Sequence, residues 1–259
     1  MDAYNPLIVR KSGITKTIVS KFALANSDER EVTLLNVYKG VPISYAASII
    51  RVINERLTVK VHKNQALCLN IEGQTYIQSK LFDRPIKAKV MSVNTAEQIA
   101  ILTDFSFADP SIGKRTNIRV DVEPDEQTNV VIISRNSDVR LLGKLNDISA
   151  TGIGVEVIAI AEVISENFGR GAWVYISLSL PIPGENTYQD LTLPGTVRYI
   201  GSNQETHTLG IQISPDKETE MRIHHFIAQR HSEILNEVEQ YSDTYRNTNA
   251  GVGNWWYPL

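Results

Sequence analysis

The chain has 259 residues, 42% of them hydrophobic and 21% charged, a globular rather than disordered composition long enough for one large or two small domains. With 26 Lys+Arg against 29 Asp+Glu the net charge is −3, which argues against binding a long polynucleotide, because phosphate neutralisation calls for a basic excess, and leaves a small anionic ligand open. The single cysteine, Cys68, excludes an intramolecular disulfide, the opening MDAYNPLIVRKSG has no apolar signal core, and no stretch approaches the apolar length of a membrane span, so a cytoplasmic protein is expected.

Residues 1–28 mix apolar and polar positions without a clear period and read as an arm, a short helix or a strand joined to the first sheet. From residue 31 short alternating runs follow one another: EVTLLNVY, ISYAASIIRVI, LTVKV, ALCLNI, TYIQSKL, IKAKVMSV and QIAILTDFSF, with NER, EGQ and NTAE as turns. Strands of this length predict a small antiparallel barrel or split barrel over residues 29–108, with Cys68 as a core residue of its fourth strand. FADPSIGK, with Asp109-Pro110 and Gly113, breaks regular structure and marks an interdomain connector over residues 109–119.

A second β series begins with IRVDV and runs through NVVIISR, VRLLGKLNDIS, GIGVEVI, WVYISLSL, LTLPGTVRYIG and TLGIQI. Six or seven strands suffice to close a small barrel and remove its exposed edges. The period then becomes helical, with Ile223, Ile227, Ile234, Val238, Tyr241 and Tyr245 on one stripe, Ser214 as the expected cap and Pro215 at the first helical position. The far half of this helix has few apolar residues and is expected to project or to pair with another helix. The tail AGVGNWWYPL places Trp255, Trp256 and Tyr257 together, either docked on the chain's own surface or as an anchor for another protein.

Few constellations carry chemistry. The neighbours His224 and His225 point about 100° apart on a helix and make a poor metal pair. Neither a Gly-x-Ser-x-Gly elbow nor a phosphate-cradling glycine loop is present, and Glu123, Asp125 and Glu126 read as a solvated loop run. Two stretches stand apart. GKRTNIRV carries Lys114, Arg115 and Arg119 at the mouth of the connector, and LNDISATGIGV carries Asp147, Ser149 and Gly152 in the spacing Asp-x-Ser-x-x-Gly. Asp147 and Ser149 lie on one face of an extended chain, and Gly152 lets a flat ligand come close.

An Arg-x-x-x-Arg pair followed some thirty residues on by Asp-x-Ser-x-x-Gly within a β series resembles the PilZ domain, and the likeness continues through GAWVYISLSLP, LPGTVRYIG and LGIQIS into the helix, over residues 115–235. The preceding β domain resembles the flagellar-brake (YcgR-like) members, which leaves residues 236–259 as the helix end and the tail. The resemblance implies a mainly β fold of two small antiparallel barrels, an N-terminal split barrel and a six-stranded PilZ barrel, with a C-terminal helix. It also implies a receptor for cyclic di-GMP, a dianionic cyclic dinucleotide, rather than an enzyme, with no cofactor besides that ligand.

The family's ligand motifs fall on Arg115, Arg119, Asp147, Ser149 and Gly152, with Lys114 just ahead of the first arginine. Guanidinium groups suit phosphate oxygens and the O6/N7 edge of guanine, and a carboxylate suits the N1–H and N2–H donors of the opposite edge. Family members hold one ligand or a stacked pair depending on the residue at position 114, and the lysine here favours a pair with a weaker second step. A protein partner such as a flagellar motor component is implied, and a homodimer is compatible. Three other readings stay open: a polynucleotide-binding barrel, for which 7% aromatic content offers little support, an enzyme acting on a nucleotide, and a PilZ-fold interaction protein without ligand.

Overall fold

A computed structural model describes residues 6–110, 112, 117–122, 128–182, 187–203 and 206–249, with the side chains of 6–12 and 245–249 left aside. The chain divides into two compact units, one comprising Met1–Tyr38, Pro42–Arg115 and Leu235–Leu259, the other Lys39–Val41 and Thr116–Ile234.

The first unit opens with helix α1 (Pro6–Leu24) and a 3₁₀ turn (Ser27–Arg30), which Asn26 and Glu29 cap reciprocally. Strands β1 (Glu31–Tyr38), β2 (Val41–Ile53) and β3 (Arg56–Lys60), helix α2 (Lys63–Glu72), and strands β4 (Gln74–Gln78), β5 (Ile86–Asn94) and β6 (Ile99–Phe107) follow. The six strands close in the order β1-β2-β3-β6-β5-β4, with Leu34 paired to Ile77 at the seam. Asn54 and Glu55, at φ 49 and 60, form the two-residue turn whose twist suits the β2–β3 hairpin. Residues 6–24, left open between arm, helix and strand by the sequence, are helical. Ile18 and Phe22 are buried in the barrel core, and the Thr15 hydroxyl donates to the Phe105 carbonyl at 3.0 Å.

ALCLNI corrects the sequence reading, because it is helix α2 and not a strand. His62 caps its start and Gly73, in the left-handed region at φ 64, ends it. A short apolar run looks the same in either state, and only the flanking caps distinguish them. Cys68 is nonetheless core, and burial pushes its thiol up to about 12.

The second unit contains β7 (Arg119–Asp121), β8 (Asn129–Ser134), β9 (Arg140–Ser149), β10 (Gly152–Ile158), α3 (Ala161–Asn167), β11 (Trp173–Pro181), β12 (Tyr188–Asn203) and β13 (Thr206–Ile213). Helix α4 (Lys217–Asn249) begins here. The order β10-β13-β12-β11-β8-β9, with β9 pairing back to β10, closes a six-stranded barrel. Its interior is filled by alternate residues such as Ile132, Ile148, Ile153, Ile176 and Ile211, all nearly inaccessible, and the buried Ile223 and Phe226 of α4 join the unit's core. The two closed antiparallel barrels and the terminal helix are the fold class expected from the alternating runs.

The start of α4 also differs from expectation. Asp216, not Ser214, caps it, accepting from the Thr219 N–H at 2.8 Å, and that backbone hydrogen bond holds its carboxyl below the usual range. The far half of α4, from Leu235, belongs to the first unit and packs beside α2. Lys63 pairs there with Glu239 and, at 2.7 Å, with Asp243, while Val238 is buried. Charge pairing substitutes for the apolar residues that this half lacks.

Candidate functional site

Strand β9 positions the site, and a single irregularity aims it. Its pairing with β10 slips between Gly154, opposite Asp147, and Val155, opposite Leu145, so Asn146 is an extra residue on β9. Leu145 and Ile148 both point into the core as a result. Without the bulge a strict alternation from Leu145 would send Asp147 inward. With it, Asp147 and Ser149 share the face opposite the core.

Strand β7 runs along the edge of β9 just beyond β8, pairing Arg119 with Ser149 and Asp121 with Asp147. Three residues of strand are marginal alone, and β7 is held from other sides. Within the same unit Lys39 accepts the Asp121 N–H at 3.0 Å. Gly40, at φ +80, packs so closely that a Cβ would lie 2.7 Å from the Arg119 carbonyl oxygen. From α4 the buried Arg230 donates through Nε to the Asp121 carbonyl at 3.4 Å and pairs with Glu233 at 3.2 Å.

The register brings the guanidinium of Arg119 diagonally across to the carboxylate of Asp147, Nη1 to Oδ1 at 3.1 Å, with their side chains 36% and 21% exposed. Ser149 is 4% exposed and donates to the Gly152 carbonyl at 3.0 Å, which locks the turn between β9 and β10. Its hydrogen is committed, so its oxygen offers an incoming group only an acceptor. Gly152 leads β10 and sits opposite both Ser149 and Gln212. Arg119, Asp147, Ser149 and Gly152 therefore meet on one patch of sheet. Lys114 and Arg115 lie outside the described residues, as do the loop carboxylates Glu123, Asp125 and Glu126 and the tail residues Trp255, Trp256 and Tyr257.

Sequence reading missed two features of this patch. Gly154, two residues past the motif glycine, lies directly beneath the Asp147 carboxylate: a Cβ there would be 2.5 Å from Oδ2. The second is Arg198, whose Nε donates to Gln212 Oε1 at 2.8 Å. Since Gln212 faces Gly152, this cation stands beside the motif from the far side. A bulge in β12, between Val197 and Tyr199, places it there. Glycine spaced at i, i+2 in GIG was the one local hint of the first feature; the second depends wholly on the register of β12 and β13. Among the described residues no group of three or more His, Cys, Asp or Glu could hold a metal ion, and no helix is long and apolar enough to cross a membrane.

Part of the chain resembles a known family. The PilZ domain model matches residues 113–229. No curated protein matches the chain. Solved structures similar to it include the Bacillus subtilis inhibitor of motility (MotI/DgrA), at 14% identity over 79% of this chain and 97% of that one, TM-score 0.38. Others are Escherichia coli YcgR in complex with c-di-GMP, at 12% identity over 90% and 94%, TM-score 0.39, and the K. pneumonia MrkH–c-di-GMP complex, at 10% over 90% and 96%, TM-score 0.38. The matched segment, residues 113–229, carries both motifs and most of the second barrel, so it is this part of the chain that resembles a PilZ domain, and it follows a first closed antiparallel barrel in sequence.

Proposed function

We propose that this protein is a cyclic di-GMP receptor. The observation that carries the reading is the Arg119–Asp147 pair at 3.1 Å, set beside Ser149 and Gly152 on one sheet face within the PilZ match. The ligand is complementary to both partners of that pair. It offers phosphate oxygens and guanine O6/N7 to Arg119, and guanine N1–H and N2–H to Asp147, so each group exchanges a partly exposed ion pair for charge-assisted hydrogen bonds. Ser149 accepts from the ligand, Gly152 leaves room for it, and Lys114 and Arg115 add the cations a dianion requires.

The protein acts by binding and not by catalysis, in the cytoplasm. Residues 29–108 serve as a flagellar-brake-like domain, 115–235 as the receptor domain and 109–119 as their connector. Because the arginine motif begins in the connector, gathering it against Asp147 and Ser149 orders that segment and changes the interdomain arrangement presented to a partner. The partner is a protein of motility, biofilm or virulence control, such as a flagellar motor component.

Calorimetric titration with cyclic di-GMP tests the reading. Arg119→Ala is expected to lose at least ~2 kcal/mol of binding, roughly thirtyfold in affinity. Asp147→Ala is expected to weaken binding specifically to guanine-bearing cyclic dinucleotides. Wild-type affinity in either variant, or no binding by the unaltered chain, overturns the assignment.

A further inference from the structure

A cavity of about 360 Å³ lies within the second unit between α4 and the two segments that carry the binding motifs. Ile118, one residue before Arg119, and Ala150, one residue after Ser149, form its wall on the barrel side. The Asn117 amide donates to the Thr151 hydroxyl at 3.0 Å, which ties those two segments into one wall. On the other side are His224, Ile227, Ala228 and His231, a single stripe of α4 at i, i+3, i+4 and i+7. The two histidines stand two turns apart, about 10 Å along the helix. His225, their neighbour in sequence, is exposed as His224 is, but takes no part in the wall.

The dimensions and chemistry suit one nucleobase. The volume is near the bottom of the roughly 300–1,000 Å³ range of small-molecule sites, with room for a base and its ribose but not a whole cyclic dinucleotide. Ile118 and Ile227 are apolar faces for a flat ring, and Ala150 and Ala228 keep the slot open because neither projects beyond Cβ. The imidazoles supply N–H donors at the rim, and His224 also lies 3.8 Å from Glu220, one turn earlier on its own helix. Guanine presents two adjacent acceptors, O6 and N7, on one edge.

We propose that this cavity is a guanine subsite, in which His224 and His231 of α4 hold one base of cyclic di-GMP beside the Arg119–Asp147 patch. The assignment rests on the receptor reading above and extends it to a helix that neither ligand motif includes. The occupant is argued from adjacency along the chain, since Ile118 and Ala150 each adjoin a motif residue, Arg119 and Ser149, and a cyclic dinucleotide is long enough to reach past them.

The test is calorimetry of cyclic di-GMP on the full chain in three variants, with Arg119→Ala alongside. Ala228→Phe fills the slot, and the double change His224→Ala with His231→Ala removes the rim donors from partly exposed positions that do not hold the core. Each is expected to lower affinity about tenfold or more without shifting the thermal midpoint, whereas His225→Ala stays within about twofold of wild type. In nitrogen-correlated NMR of the unaltered chain, saturating ligand is expected to move the His224 and His231 ring signals and not that of His225. If the double histidine variant binds as wild type while Arg119→Ala does not bind, the subsite is overturned and the receptor reading stands. If the unaltered chain binds no cyclic di-GMP, both are overturned.

Discussion

Gly154→Ala separates the binding role of this sheet face from its structural one. Gly154 lies in β10 and outside the left-handed region, so alanine meets no backbone objection there. Its Cβ would lie 2.5 Å from Asp147 Oδ2, 2.9 Å from Cγ and 3.1 Å from Oδ1. The obstructing atoms are the end of one side chain, which can swing aside, so the fold survives and Asp147 is displaced. The stability terms are small: an ion pair open to solvent on one side contributes about 0.2–1 kcal/mol, and replacing a strand glycine returns about 0.5–1 kcal/mol. Thermal unfolding should therefore change little. Binding should change much more, because the displaced carboxylate no longer meets the guanine donors, and charge-assisted hydrogen bonds of that kind are worth about 1.5–3 kcal/mol, on the order of ten- to a hundredfold in affinity. Gly152→Ala is the contrasting case. There the Cβ meets the backbone oxygen of Ile211 at 3.1 Å, an atom fixed in the ladder, so a loss of stability is expected as well. Paired melting curves and cyclic di-GMP titrations read both effects. A Gly154→Ala protein that binds with wild-type affinity would refute the claim that Asp147 must rest on a bare glycine.

Small-angle scattering at ligand saturation is expected to differ from the ligand-free profile while the far-ultraviolet circular dichroism of the barrels stays the same; superimposable profiles would sink the interdomain switch. Titration of the unaltered chain is expected to give two cyclic di-GMP per chain with a weaker second step, since a stacked pair brings four negative charges and Lys114 supplies a flexible point of positive charge. Lys114→Arg should tighten that step and Lys114→Leu reduce the stoichiometry to one, and a value of one in both the parent and Lys114→Leu counts against the role. Cys68, whose buried thiol is pushed up to about 12, stays protonated at pH 8, so a thiol reagent should label it only after denaturation. Rapid labelling of the folded chain would contradict its burial.

The amino-acid sequence by itself determined whatever depends on near neighbours along the chain. Period-two alternation in WVYISLSL marked a strand with one face inward, and Val174, Ile176, Leu178 and Leu180 are indeed buried. Period 3.6 marked α4 and its buried Ile223, Ile227, Ile234 and Val238, whereas Tyr241, expected on the same stripe, is exposed. The Arg and Asp-x-Ser-x-x-Gly motifs were legible because their spacing is local, and the order of the two barrels followed from the breaker-rich connector between them.

Tertiary structure alone decided what depends on register between distant strands. Nothing in LNDIS states that Asn146 is an extra residue, yet that bulge turns Asp147 away from the core, because the partner strand β10 sets the count. The place of Gly154 under Asp147, of Arg198 beside Gly152 through Gln212, and of Arg230 on β7 all arise from pairings between segments far apart in sequence. The histidines make the same point. Adjacent in sequence, His224 and His225 suggested a weak pair; both are exposed, but the helix sets only His224, with His231, along the cavity, since side chains seven apart on a helix share a face and side chains one apart do not.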